Sequence, residues 1–139
     1  MIQGEIIQHI ELNSNIDSLL KIERFIDDVC DQYKLGGDQY GNILIALTEA
    51  VNNAITHGNK LDPNKKVRLN MATTSKDVEF IIEDEGVGFD YNNVPDPTLP
   101  RNLEELSGRG IFLMKALADN VDFEENGRII KLKFSISAN

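Results

Sequence analysis

The segment LTEAVNNAITHGN, residues 47–59, contains the most informative pattern in the chain. It belongs to a predicted helix over residues 38–57, in which apolar residues recur every three or four positions, as on the core-facing side of a helix. The members of this stripe are Tyr40, Ile43, Leu44, Leu47, Val51, Ala54 and Ile55. Gly58 and Asn59 follow as typical helix-stop residues. The stretch therefore predicts a helix that packs one face on a core.

Polar residues occupy another face of the same helix. Glu49 and Asn53 are four residues apart, so their side chains lie on one face, roughly opposite the apolar stripe. That placement is typical of a solvated polar surface. Two features favour a binding role instead: small residues that would let a ligand approach lie among the polar ones, and the pair Asn52-Asn53 is unfavourable in a helix. The small residues are Ala46, Ala50 and Ala54.

The remaining segments predict an α+β protein. Strands are predicted over residues 5–12, 65–73, 78–84, 121–125 and 128–137, and further helices over residues 14–33 and 110–119. The apolar stripe of the first of these helices consists of Ile16, Leu19, Leu20, Ile22, Phe25, Ile26, Val29 and Cys30. Short links, among them the strong hairpin turn Asn126-Gly127, make the sheet at least partly antiparallel.

The composition indicates one globular domain over residues 1–139. The chain has 139 residues, 41% of them apolar, and a formal net charge of −9, which is enough apolar material for one core. There is no apolar run near the roughly 18 residues of a membrane span and no signal-peptide pattern, so we expect a cytoplasmic protein. Cys30 is the single cysteine, which excludes an internal disulfide. The acidic excess argues against direct binding to nucleic acid.

Two glycine motifs follow the helix along the chain. Asp84-Glu85-Gly86-Val87-Gly88 lies where a strand ends, so its acid can accept a hydrogen bond from an exocyclic amine, and its glycines allow close backbone approach to a ring or phosphate. Gly108-Arg109-Gly110 opens the third helix, whose N-terminal amides favour phosphate, with Arg109 adding a charged contact. Each motif alone is also typical of an ordinary turn. The long irregular stretch between them has a length that is usually functional or mobile.

The three motifs occur in one consistent order, and in this the sequence resembles the GHKL nucleotide-binding superfamily, named for gyrase, Hsp90, histidine kinases and MutL. Residues 47–59, 84–90 and 107–114 are similar to the anti-sigma factor serine kinases of the RsbW and SpoIIAB type. The resemblance covers about residues 5–136. It implies an α+β two-layer sandwich, the Bergerat fold, whose mixed, mostly antiparallel sheet is covered on one face by about three helices.

The resemblance implies a role for each motif residue. Asn53 would coordinate Mg²⁺, which bridges the phosphates of ATP, and Asp84 would bind the adenine amino group. Gly86 and Gly88 would shape the adenine pocket, and residues 91–107 would form the ATP lid. Nine acids against one base give residues 77–105 a net charge of −8. Because ATP is itself an anion, we expect its binding to require Mg²⁺.

The resemblance also implies where phosphoryl transfer would occur. Gly108, Arg109 and Gly110 would form the phosphate-facing turn. Glu49 would act as the general base that takes the proton of a substrate serine. His57 matches a histidine common in the family and is also explained as a favourable cation at a helix C-terminus.

The function implied is an ATP-dependent protein serine kinase that is also an anti-sigma factor in a partner-switching circuit. It would be a homodimer with two alternative partners, a sigma factor held inactive and a STAS-domain anti-anti-sigma protein released by serine phosphorylation. The expected dimer surface is the first strand and first helix, which carry no nucleotide motif. One alternative is a catalytically silent protein that binds ATP or ADP and sequesters a regulatory partner. Another is a small acidic interaction domain without a nucleotide.

Overall fold

The computed structural model of the chain describes residues 5–32, 35, 37–86 and 106–136. In chain order the elements are β1 (Glu5–Asn13), α1 (Ser18–Gln32), α2 (Gly37–Asn53), a π-helical turn (Ala54–Gly58), β2 (Lys66–Thr73), β3 (Asp77–Glu83), α3 (Leu106–Leu117), β4 (Asn120–Glu124) and β5 (Ile129–Ser135). Every predicted helix and strand is present, with its ends shifted by at most a few residues. Within these ranges, the helices include none that is long and apolar enough to cross a membrane.

The strands form one sheet in the order β1-β2-β3-β5-β4, and each neighbouring pair is antiparallel. The turn between β4 and β5 contains three left-handed residues, Glu125, Asn126 and Gly127, with φ angles of 52°, 59° and 86°. Asn and Gly adopt this conformation readily, which explains the predicted hairpin there. The α+β two-layer architecture is confirmed, and the sheet is antiparallel in all described pairings rather than mixed.

The core lies between the helices and one face of the sheet. Alternate residues of β2, β3 and β5 are buried there, as the two-residue period of a strand requires. They are Val67, Leu69, Met71, Val78, Phe80, Ile82, Ile130, Leu132 and Phe134. The Phe80 ring on the central strand makes edge-on contacts with Phe25 of α1 and Phe134 of β5, at centroid distances of 6.5 and 6.0 Å.

Two members of the predicted apolar stripe of α1 are exposed. Leu20 is 70% exposed and Ile16 is 51% exposed. At about 100° per residue, Leu20 lies roughly 160° around the helix from the buried Ile22. Ile16 precedes Ser18, where the helix begins. Leu20 on α1 and Ile16 just before it are therefore exposed apolar residues at the start of the helix.

The end of α2 is a wider turn rather than the predicted continuous helix to residue 57. The Asn59 N–H donates to the Ala54 carbonyl, five residues earlier, at 2.8 Å. Turns of this π type are frequent at functional sites. Lys60 and Leu61 then take left-handed φ angles of 54° and 58°, which turn the chain back toward β2.

Candidate functional site

One end of the candidate site is formed where α2 packs against α3. A Cβ atom added to Gly110 would lie 3.1 Å from Glu49 Oε2, 3.2 Å from Asn53 Nδ2 and 3.4 Å from Asn53 Oδ1. These distances are at or below van der Waals contact, so the absence of a side chain at Gly110 allows α3 to pack this close to α2. The structure therefore brings the Glu49–Asn53 pair together with one residue of the third motif.

Asn53 is buried and does not belong to a solvated face. Its exposed fraction is 3%, and neither Nδ2 nor Oδ1 has a hydrogen-bond partner within the described part of the chain. A buried amide without partners is unfavourable for folding alone. Its carbonyl oxygen is a type of ligand that hard cations such as Mg²⁺ accept. The residue therefore fits the expected metal ligand.

The other end of the site is formed by Asp84, directly after β3. Its exposed fraction is also 3%. Its N–H donates to the Arg128 carbonyl at 3.1 Å, and its Oδ1 accepts the Gly86 N–H at 2.8 Å. Burial raises the pKa of Asp84 above the usual aspartate value because it disfavours the charged form, while the Gly86 N–H opposes that shift. A carboxylate held in this way is suited to accept a hydrogen bond from a ligand amine.

Two glycines make room for Asp84. A Cβ atom on Gly58 would lie 2.3 Å from Asp84 Oδ2, and a Cβ atom on Gly86 would lie 2.0 Å from the Gly58 carbonyl oxygen. A side chain at Gly58 would displace the Asp84 carboxylate, and one at Gly86 would require the backbone to shift. The sequence suggested that Gly86 makes room for a ring or phosphate, whereas in the structure it first makes room for the backbone at Gly58.

Gly58 and Asn59 also lie at the Asp84 end of the site, although the sequence predicted them only as a helix end. Asn59 is fully buried, and its Oδ1 accepts the Glu85 N–H at 2.7 Å. Gly and Asn are so common after helices that their local pattern indicates only a helix end. Their contacts with Asp84 and Glu85 join segments far apart in sequence, and no local pattern reports such contacts.

The third motif lies inside α3 rather than in a turn before it. The helix begins at Leu106, so the predicted helix start at residue 110 is wrong, while the lid over residues 91–107 stays a prediction. Glycines weaken a helix by only about 1 kcal/mol each, and the packing of α3 on α2 outweighs this. Gly108 and Arg109 lie in the first part of the helix, and the Arg109 side chain is exposed.

Some predicted features cannot be placed on this frame. Gly88 and residues 91–105 of the predicted lid lie outside the described residues, so their roles stay predictions. His57 is described, and it is exposed on the π turn.

Glu49 also borders a groove of about 360 Å³ between α1 and α2. The other lining residues are Leu19, Leu20, Glu23, Leu44, Ile45 and Thr48. Leu20 and Ile45, which is 45% exposed, give the groove an apolar rim. The half-buried Glu49 thus faces α3 on one side and an open apolar groove on the other.

The two ends of the site are separated along one helical axis. Asn53 ends α2, and Gly58, which lies against Asp84, ends the π turn that follows it. An elongated ligand could contact Asp84 with a polar donor at one end and Asn53 with a metal-bound anion at the other. A nucleoside triphosphate has this distribution of groups.

Comparisons with known proteins agree with this geometry. Residues 12–134 match the family model of the histidine kinase-like ATPase domain. The chain is 30% identical to serine-protein kinase RsbW of Bacillus subtilis over 98 residues, 66% of this chain and 61% of that protein. It is 36% identical to the anti-sigma F factor of Shouchella clausii over 80 residues, 56% of this chain and 55% of that protein. With the anti-sigma F factor of Geobacillus kaustophilus it shares 33% identity over 105 residues, 72% of each chain.

A solved structure supports the fold. The RsbU and RsbW domains of a Mycobacterium tuberculosis protein align with a TM-score of 0.55 and 13% identity, over 93% of this chain and 31% of that chain. The matched region spans 61% and 55% of the first two curated relatives. Because the family model covers most of the sequence and the fold and motif order agree with it, the chain belongs to the histidine kinase-like ATPase domain family.

Proposed function

We propose that this protein is an ATP-dependent protein serine kinase and anti-sigma factor. The observation that carries the proposal is the buried Asn53 amide, which lacks a partner in the described ranges and lies beside Glu49 and Gly110. Relatives named serine-protein kinase RsbW and anti-sigma F factor support the two roles. The partners would be a sigma factor and a STAS-domain anti-anti-sigma protein, and the protein would act as a cytoplasmic homodimer.

In this proposal the nucleotide lies along α2, with adenine at Asp84 and the phosphates near Asn53. The Asp84 carboxylate accepts a hydrogen bond from the exocyclic amine. Asn53 Oδ1 would hold Mg²⁺, which when bound offsets phosphate charge. Arg109, exposed on the first part of α3, supplies a positive charge toward the same end.

Glu49 is the proposed general base. Its carboxylate takes the proton of the acceptor serine as the serine oxygen attacks the γ-phosphorus. The new oxygen–phosphorus bond forms while the bond to the bridging oxygen breaks, and ADP leaves with that electron pair. The acceptor protein reaches Glu49 through the groove, whose apolar rim at Leu20 and Ile45 suits a protein surface rather than water.

Calorimetric titration with ATP and Mg²⁺ tests the nucleotide site. We expect the wild type to bind, and Asp84→Asn and Asn53→Ala each to weaken binding at least about tenfold, the loss of one charged or metal contact. Excess EDTA should abolish binding, and tight binding in EDTA would contradict the metal requirement. A wild type that binds no adenine nucleotide would instead favour the nucleotide-free interaction domain.

Phosphoryl transfer to a purified STAS-domain protein from the same organism tests the kinase. We expect Glu49→Gln to lower the transfer rate by about 10²- to 10⁴-fold while ATP affinity is retained. Glu23→Gln is the matched control because Glu23 lines the same groove from α1. If Glu49→Gln still transferred phosphate at the wild-type rate, the catalytic role would be wrong. If the wild type transferred none but still exchanged partners with ATP, the silent binding protein would be the better description.

A further inference from the structure

We propose that Asn59 is a positioning residue for adenine recognition, holding the Asp84 carboxylate in one orientation. The inference rests on the proposed function, in which Asp84 accepts the adenine amine. It concerns a residue that would not touch the nucleotide itself.

The Asn59 side chain uses its donors and its acceptor inside the protein. Nδ2 donates to Ser14 Oγ at 2.8 Å and to the Lys66 carbonyl at 3.0 Å. Oδ1 accepts the Glu85 N–H at 2.7 Å. The residue has no exposed surface. A buried, fully bonded amide of this kind fixes the segments that it joins.

Those segments are the two that meet at Asp84. Asn59 directly follows Gly58, where an added Cβ atom would lie 2.3 Å from Asp84 Oδ2. Glu85 directly follows Asp84 and directly precedes Gly86, whose N–H donates to Asp84 Oδ1 at 2.8 Å. The bond from Glu85 to Asn59 therefore holds together the chains that contact both oxygens of the carboxylate.

The far side of the Asn59 amide is anchored to the body of the fold. Ser14 is 2% exposed, and its hydroxyl donates to the Lys65 carbonyl at 2.5 Å. The Lys66 N–H in turn donates to Glu85 Oε2 at 2.5 Å. The loop after β3 is thus bonded to the start of β2 both directly and through Asn59.

Removal of the Asn59 side chain should affect only the Asp84 end of the site, where adenine is proposed to bind. Glu85 would lose its backbone partner, so Asp84 and Gly86 would no longer be held in one arrangement. The phosphate end rests on Asn53 and Glu49 against α3 and does not involve this network. The expected signature is a loss of selectivity between bases, because a general loss of folding would weaken the binding of every nucleotide equally.

The test compares the Kd of ATP with that of inosine triphosphate, which carries a carbonyl in place of the amine, by competition titration with Mg²⁺. We expect the wild type to prefer ATP and Asn59→Ala to reduce that preference about tenfold, the effect of losing one buried hydrogen bond. The affinity for inosine triphosphate should stay nearly unchanged. Asn70→Ala is the matched control, because its side chain bonds His9 on the sheet, outside this network.

A second variant, Ser14→Ala, removes one acceptor of the Asn59 amide and should lower the preference by a smaller factor. If circular dichroism shows that Asn59→Ala is unfolded, Ser14→Ala tests the positioning role in its place. Retention of the wild-type preference in the folded variants would overturn the positioning role while leaving the nucleotide site intact. A wild type without any preference for ATP would overturn the proposed role of Asp84, and this inference with it.

Discussion

At the residue scale, the burial of Asp84 lowers the stability of the ligand-free fold and at the same time suits the residue to bind a ligand donor. The carboxylate is almost completely buried, and burial raises its pKa above the usual aspartate value of 3.8. In the ligand-free protein, burial therefore disfavours the charged form of this carboxylate. A donor on a bound ligand would satisfy that charge, which is typical of functional positions.

We expect Asp84→Asn to raise the melting temperature of the ligand-free protein at neutral pH. Because the folded-state pKa lies above the unfolded one, protonation of Asp84 favours folding. This contribution is complete below pH 3.8 and is lost as the pH rises through the folded-state pKa. The amide does not titrate, so the difference in melting temperature between variant and wild type should widen from acid to neutral pH. Thermal denaturation over that range measures it, and a difference that does not vary with pH would contradict the argument.

The buried Asn53 amide is likewise proposed to serve binding rather than stability, and it is uncharged. We expect Asn53→Ala to change the free energy of unfolding by less than about 1 kcal/mol, because the amide it removes makes no hydrogen bond within the described residues. Binding of ATP with Mg²⁺ should nevertheless be lost. Asn52→Ala, the same change one position away on α2, should keep binding. Urea denaturation and titration of both variants check this, and equal binding by the two would show that Asn53 is not the ligand.

At the element scale, the π turn positions the Asp84 end of the candidate site. By ending α2 with a wider turn, it places Gly58 against Asp84 and under Gly86. A regular α-helical end would carry these atoms to different positions, since each residue would advance by about 100° and 1.5 Å. The turn thus connects Asn53, at the end of α2, to the loop after β3.

We expect Gly58→Ala to destabilise the fold by about 1–3 kcal/mol, the usual effect of overpacking, and to weaken ATP binding. The new Cβ atom would lie 2.3 Å from Asp84 Oδ2. Gly41→Ala is the control, because a Cβ atom there meets nothing within 4 Å and alanine in a helix should stabilise it by about 0.5–1 kcal/mol. Urea denaturation with ATP titration measures both changes. Normal ATP affinity in Gly58→Ala would show that Asp84 does not depend on this contact.

At the scale of the whole molecule, the proposed nucleotide site and the proposed protein-docking groove lie on different sides of α2. Asn53 and Gly110 lie between α2 and α3, whereas the apolar groove lies between α1 and α2. Glu49 borders both, which is the placement required of the proposed general base.

We expect Leu20→Asp to raise the KM for a STAS-domain acceptor at least about tenfold, as the loss of a central apolar contact does at an interface, while leaving the Kd for ATP unchanged. Leu61→Asp is the matched control, since Leu61 is 50% exposed but does not line the groove. Steady-state phosphoryl transfer against acceptor concentration measures the effect. An unchanged KM in Leu20→Asp would place the acceptor elsewhere.

The local patterns of the sequence were sufficient to predict the helices and strands and to identify the motif residues. Periodicity predicted every described helix and strand, because each depends on neighbours three, four or two positions away. The spacing of Glu49 and Asn53 alone is typical of a solvated polar face. The nucleotide site was predicted from the order of the three motifs, through their resemblance to the GHKL superfamily, and the family follows from the same resemblance.

Only the tertiary structure decided which of those residues are buried and what they contact. Asn53 is buried because α3 passes over it at Gly110, and Gly58 and Asn59 belong to the site because the chain returns after β3 to meet them. Leu20, apolar like its buried neighbours, is exposed for lack of a segment over that side of α1 among the described residues. Burial is a property of two segments together, so the pattern of one segment cannot determine it.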